Sequence, residues 1–260
     1  MGQRPSEPND LIRWTAVDRY LEGALRTDDP ALESALSASR SAGLPEIQIS
    51  PLQGRYLHLL ARAIRAQGIL EIGTLGGYST IWLARALPAG GRLVSLELDP
   101  DHVKVALANL ANAGVADRVE VQPGPALGSL EKLAVGGLGP FDLVFIDADK
   151  PNVSAYIDWA IRLSHPGSLI IVDNVVRRGD VLDEQSRDPN VRGVREMLER
   201  LRRDDRVLSA AVQTVGVKGH DGWLVALVGP PDAPSRSGGP SAVPRRRARR
   251  GRGVSGAARI

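Results

Sequence analysis

Ile69-Leu70-Glu71-Ile72-Gly73-Thr74-Leu75-Gly76-Gly77-Tyr78-Ser79-Thr80 is the stretch whose reading decides the fold. It starts as a short apolar run, ends in glycines and continues into Ser79–Leu87, a helical pattern stopped by Pro88-Ala89-Gly90-Gly91. Glycines allow positive φ and let backbone approach a ligand closely. The helix that follows offers free N–H groups and the positive end of its dipole. Such a loop can hold a phosphate or a carboxylate, or can be a plain tight βα turn. The spacing is not the G-x-G-x-x-G dinucleotide fingerprint, because position 75 is Leu.

Working outward, β-like and helical runs alternate from about 69 to 173. Arg92–Leu98, Arg118–Gln122, Phe141–Ile146 and Gly167–Val172 read as strands, and Pro100–Ala113 and Val153–Leu163 as helices. Pro100 suits a first turn and Gly114 a C-cap. Strands separated by helices of this length imply an α/β fold with a parallel sheet covered on both faces. Beyond it, Asn190–Arg203 is a charged amphipathic helix. Arg206–Val217 and Gly222–Val228 read as a hairpin around Lys218-Gly219-His220-Asp221. The N-terminal part reads as the helices Asp10–Arg26, Pro30–Ala42 and Pro51–Ala66. The boundaries expected are a helical segment over 1–46, a catalytic domain over 47–229, and a Pro/Gly/Arg-rich extension over 230–260. The extension has too little apolar content to repay its ordering and is expected to be disordered.

The 260 residues carry a formal net charge of +3, unevenly spread. Residues 232–260 hold eight Arg and one acid, +7, which leaves the body at −4. That weakens a nucleic-acid reading of the whole chain. With no Cys there is no disulfide framework, zinc ribbon or thiol nucleophile. No apolar run approaches the roughly 18 residues of a membrane helix, and the N-terminus shows no secretory signal. A cytoplasmic enzyme is expected.

Acids then mark the strand ends. The second strand ends in Glu97-Leu98-Asp99, where an acid commonly accepts hydrogen bonds from ribose hydroxyls. Glu97 is the better candidate because it directly follows the apolar run. FDLVFI runs into Asp147-Ala148-Asp149-Lys150, and GSLIIV into Asp173-Asn174. Carboxylates converging in the crevice of an open sheet repel one another, which calls for a cation. Oxygen ligands without Cys or His point to a hard ion, Mg²⁺, Mn²⁺ or Ca²⁺. The alternative is that Asp149 caps the next helix and Asp173-Asn174 opens an ordinary loop.

The E-x-G-x-x-x-G loop resembles the first motif of S-adenosylmethionine (SAM) dependent methyltransferases. With LEIGTLGGYST (70–80), FIDADK (145–150) and VDNV (172–175) together, the chain resembles the cation-dependent O-methyltransferases, a family including catechol and caffeoyl-CoA O-methyltransferases. It looks closest to the small bacterial members, over about 47–228. The resemblance implies a Rossmann-like fold: a seven-stranded, mostly parallel sheet with a C-terminal antiparallel hairpin and helices on both faces. It implies Asp147, Asp173 and Asn174 as metal ligands and Lys150 as general base. It places Glu71, Gly73, Gly77 and Ser79 around the methionine part of SAM and Glu97 at the ribose. Pro125 and Ala126 would lie against the adenine, and Asp147 and Asp149 near the sulfonium end. It also implies a homodimer. Two departures stand out. Plant members have Glu where this chain has Gln53, and Trp-Gly-Gly after the Asp-Asn, where this chain has Val175-Val176-Arg177-Arg178-Gly179.

The reaction so implied is methyl transfer to a hydroxyl of an ortho-dihydroxy aromatic small molecule. An unperturbed phenol, with a pKa of about 10, is a poor nucleophile at neutral pH, and a chelating cation would favour its phenolate. The competing reading is a methyltransferase-fold protein acting on, or tethered to, nucleic acid through its basic extension. His58, His102 and His165 read as packing or surface residues, and His220-Asp221 as a pair without a nucleophile motif. Trp14 reads as a residue whose helix could cover the site.

Overall fold

The structure, a computed structural model, describes residues 8–229. The extension from 230, where disorder is expected, lies outside them. Eight helices are present among the described residues: α1 (Pro8–Leu25), α2 (Pro30–Ser41), α3 (Pro51–Ala63), α4 (Tyr78–Ala86), α5 (Pro100–Asn112), α6 (Ala126–Val135), α7 (Val153–Arg162) and α8 (Pro189–Arg202). Seven strands form one sheet: β1 (Gly68–Ile72), β2 (Arg92–Glu97), β3 (Val119–Pro123), β4 (Phe141–Ile146), β5 (Ser164–Val172), β6 (Val207–Gly216) and β7 (Gly219–Val228). The order is β3-β2-β1-β4-β5-β7-β6. The first five strands pair in parallel, and β7 runs antiparallel to β5 and β6. This is the mostly parallel seven-stranded sheet with a C-terminal hairpin that the sequence led us to expect.

The period-2 alternation of the strands divides the core into two layers. Leu70, Ile72, Val144, Ile146, Ile170 and Val172 pack with Val153, Ile157, Val194 and Met197 of α7 and α8. The intervening Ile69, Leu143, Phe145 and Ile171 pack with Leu32, Leu57, Ile81 and Leu110 of α2, α3, α4 and α5. Both faces are buried, which is why these strands read as continuous apolar runs. The carboxyl ends of β1, β2, β4 and β5 therefore meet along one rim, on either side of the point where strand order reverses between β1 and β4.

Four local details depart from the sequence reading. Helix α6 was not anticipated; its Ala-Leu-Gly-Ser opening and the flanking Pro125 and Gly136 disguise a helix that buries Leu130 and Leu133. Strand β5 begins at Ser164, three residues earlier than expected. Helix α3 stops at Ala63 rather than 66. The hairpin turns in two residues, Val217 and Lys218, because Gly216 pairs with Gly219 and Gly219 takes a left-handed φ of +87°. His220 and Asp221 thus lie in β7 and not in a loop.

Candidate active site

The glycine loop is held from below by Glu71. This carboxylate is wholly buried and accepts hydrogen bonds from Ser79 Oγ (2.6 Å), Thr80 Oγ1 (2.5 Å) and Ser95 Oγ (2.6 Å). Burial pushes Glu71 up to about 7, against the three hydroxyl bonds that lower it. From the side, Glu97 fastens the same loop to β2. Its Oε2 accepts from the backbone N–H of Thr74 (3.1 Å) and Leu75 (2.7 Å), and its Oε1 from Asp99 N–H (3.0 Å). Asp99 instead caps α5 through Asp101 N–H. Gly73 sits at φ +100°, so close to β4 that a Cβ would stand 2.1 Å from Asp147 O.

A cavity of about 700 Å³ opens above this loop. Gly73, Ser79, Glu97, Pro125, Ala126, Asp147, Asp149, Lys150 and Asn174 all line it. Glu71 and Gly77 are not in its wall; Glu71 lies beneath Ser79, and Gly77 starts α4 in a left-handed conformation. His102, read from the sequence as a surface residue, is in this wall, with Nδ1 3.4 Å from Glu97 Oε1. Asp149 does not cap the following turn. Its Oδ1 accepts from Tyr156 OH (2.5 Å) and its Oδ2 from Asn152 Nδ2 (2.6 Å). Tyr156 and Asn152 also line the cavity and were missed, since nothing local in the sequence marks them.

A second cavity of about 890 Å³ adjoins the first. Asp173, Asn174, Arg177, Tyr56, Lys218 and Trp223 line it, with Asp18 and Leu21 from α1. Helix α1 thus covers this end through Asp18 and Leu21, not through Trp14. Ile47, Gln48, Ile49, Asn174 and Arg177 belong to both walls. His220 pairs with Gln213 (2.8 Å), and Asp221 accepts from the N–H groups of Val176, Arg177 and Gly222, so the two do not act as a pair.

Asn174 lines both cavities, Asp147 and Lys150 line the first, and Asp173 lines the second. Lys150 is almost fully buried and its Nζ donates to Asp147 Oδ1 at 3.2 Å. Its backbone is packed against α8 at Gly193, where a Cβ would lie 2.1 Å from Lys150 O. That glycine inside a helical pattern is the one signal the sequence offered for this contact. Asn174 takes a left-handed φ of +58°, and its N–H donates to Asp173 Oδ1 at 2.6 Å. Burial first, and the Asp147 charge second, push Asp173 up to about 7, while Lys150 opposes this. Asp173 is therefore a desolvated carboxyl close to a second carboxylate. Among the described residues no group of three or more His, Cys, Asp or Glu side chains could hold a metal ion. The set read from the sequence has only two such residues; its third member is the amide of Asn174. Two carboxylates and an amide oxygen are donors of the type a hard divalent cation takes.

The family model described as "O-methyltransferase" matches residues 26–224. A catechol O-methyltransferase of Mycobacterium tuberculosis is 53% identical, over 88% of this chain and 99% of its own length. A catechol O-methyltransferase of Niastella koreensis is 48% identical over 83% of this chain and 97% of its own. The crystal structure of the O-methyltransferase TomG from Streptomyces achromogenes, involved in tomaymycin synthesis and in complex with SAM, superposes with a TM-score of 0.83. It is 48% identical and covers 85% of this chain and 99% of that one.

Proposed function

This chain belongs to the O-methyltransferase family, and we propose that it moves a methyl group from SAM to one hydroxyl of an ortho-dihydroxy aromatic small molecule, assisted by a bound divalent cation. The observation that carries this reading is the shared wall: Asn174 lines both a cavity at the glycine loop and a second cavity, with Asp147 and Lys150 in the wall of the first and Asp173 in the wall of the second. The names of the bacterial catechol O-methyltransferases support the acceptor class, and the SAM complex of a structural neighbour supports the donor.

In this reading the first cavity takes SAM. Ser79 and the N–H groups at the start of α4 receive the methionine end. Glu97 still has lone pairs for ribose hydroxyls, and Pro125 and Ala126 give a flat apolar seat for the adenine. Asp149, fixed by Tyr156 and Asn152, faces the positive end of the donor. Asp147, Asp173 and Asn174 would hold the cation, which when bound would lower the proton affinity of a phenol oxygen. Lys150 accepts the hydroxyl proton at Nζ. The protein's own contribution is to fix donor and acceptor across one wall and to exclude water there.

The homodimer and the cytoplasmic setting belong to the same proposal. Ile12 and Tyr20 on α1, and Leu208, Val212 and Val215 on the edge strand β6, are exposed apolar side chains that a second copy would cover. No helix among the described residues is long and apolar enough to cross a membrane. The test is Asp173→Ala. It should abolish methylation of catechol in Mg²⁺ while equilibrium dialysis still shows SAM bound. Retained turnover would remove Asp173 from the reaction.

A further inference from the structure

Asn109 stands in α5 on the face that buries Val103, Ala106 and Leu110, and it is itself only 4% exposed. Asn is a poor choice for a helix interior, and a buried amide has to be hydrogen-bonded. Its Nδ2 donates to Gly76 O at 2.9 Å and to Ala35 O at 3.3 Å, with Ser39 Oγ 3.5 Å away. The two nearest neighbours are carbonyl oxygens, so only the NH₂ of the amide can face them, and its two hydrogens serve both. One bond reaches the glycine loop and the other reaches α2.

These bonds join three segments at the edge of the first cavity. Gly76 of the loop and Leu36 and Ser39 of α2 line it, whereas Asn109 does not. Helix α2 sits on the loop without a gap: a Cβ at Gly76 would stand 2.1 Å from Ser39 Oγ and 3.1 Å from Ser39 Cβ. Ser39 Oγ in turn donates to Ala35 O at 2.7 Å. One residue on, Gly77 opens α4 in a left-handed conformation with no side-chain cap, so the first N–H groups of that helix are left for a ligand. Their direction follows from the peptide that precedes them. Its oxygen, Gly76 O, is held by Asn109, and its N–H, on Gly77, donates to Thr74 O at 2.9 Å.

We propose that Asn109 is a positioning residue for the methyl donor: by bonding the Gly76 carbonyl and α2 together, it sets the start of α4 for the methionine carboxylate of SAM and makes α2 a fixed wall of the donor site. Asn109 lies outside the cavity and acts through Gly76 and α2. This rests on the reading of the first cavity as the SAM site, and the experiment separates the two.

The experiment measures Kd for SAM by isothermal titration calorimetry without acceptor, and kcat at saturating SAM, in the wild type, Asn109→Ala, Asn109→Asp and Asn112→Ala. Asn109→Asp keeps the shape but turns a carboxylate toward two carbonyls. Asn112 is the comparison: its Nδ2 donates to Ser34 Oγ of α2 at 3.2 Å and does not bond the loop. Loss of the two buried bonds predicts a Kd about tenfold higher in both Asn109 variants, with kcat lowered less. Asn112→Ala should keep the wild-type Kd. If the Asn109 variants do not fold, Gly76→Ala alone and combined with Ser39→Gly carry the test. The single variant should raise Kd, and the double variant should recover part of it, because Ser39→Gly removes the two atoms nearest the new Cβ. A wild-type Kd in either Asn109 variant, an equal rise in Asn112→Ala, or no recovery in the double variant overturns the inference. Ala126→Trp, which fills the adenine seat, tests the SAM reading by itself: undiminished SAM binding there removes that reading.

Discussion

Gly73→Ala tests how tightly the donor loop and the acidic strand end are built against each other. The added Cβ would sit 2.1 Å from Asp147 O and 2.8 Å from Asp147 C, both backbone atoms, at a φ of +100°. Relieving the contact needs a separation of about 1 Å, because carbon and oxygen cannot approach within roughly 3 Å without severe repulsion. The left-handed conformation costs about 1–3 kcal/mol for a residue with a Cβ. Moving Asp147 also stretches its N–H bond to Ile72 O, now 2.9 Å, which joins β4 to β1. That bond is worth about 1 kcal/mol, so the variant should lose about 2–4 kcal/mol. A shift of about 1 Å at Asp147 should lower kcat by about 100-fold. Gly77→Ala is the comparison: it shares a positive φ, +82°, but its Cβ would meet nothing nearer than 3.5 Å. It should cost only the backbone strain, about 1–2 kcal/mol, and less activity. Urea denaturation midpoints and catechol methylation rates report both effects. Equal losses in the two variants would refute the steric argument.

Other predictions follow from the supports of the site. Glu71 rises from 4.5 to about 7 on burial, so the folded state holds its proton more tightly than the unfolded chain. Its contribution is full below pH 4.5 and is lost as pH rises through 7, a change of about 3 kcal/mol. Stability of the wild type should therefore fall relative to Glu71→Gln across that window; parallel stability curves would exclude it. Gly193→Ala drives a Cβ against Lys150 O and Pro151 Cα, at 2.1 and 3.0 Å. The prediction is a loss in kcat of about tenfold or more with SAM affinity retained; an unchanged kcat would show that α8 does not position Lys150. Tyr156→Phe removes the hydroxyl on Asp149 Oδ1 and should raise KM for SAM by about tenfold. KM at the wild-type value would remove Asp149 from donor binding.

What could be read in advance was what short-range pattern encodes. The apolar run Ile69-Leu70-Glu71-Ile72 into Gly73, and the strands separated by helices that follow it, marked the parallel sheet, its two covered faces and the strand ends where the acids sit. Glu97 was separable from Asp99 because it directly follows the apolar run Val94-Ser95-Leu96. The hairpin misled because glycines at 216, 219 and 222 allow several registers, and only pairing with β5 selects one. Helix α6 was hidden by Gly128 and the flanking glycines, although Leu127, Leu130 and Leu133 keep a helical spacing. The shared wall had no sequence signal: Ile47, Gln48 and Ile49 are far along the chain from Asn174 and Arg177, with which they share both cavity walls. His102 and Tyr156 became wall residues for the same reason, since a helix turn carries them to a rim assembled from other segments.

The most direct test is methyl transfer from SAM to catechol and to phenol, each measured with Mg²⁺ and with EDTA. Two acids and an amide in the walls of the two cavities predict turnover of catechol with Mg²⁺, loss in EDTA, recovery with excess Mg²⁺, and little turnover of phenol. Undiminished catechol methylation in EDTA, or equal turnover of phenol, would contradict cation-assisted transfer to an ortho-dihydroxy acceptor.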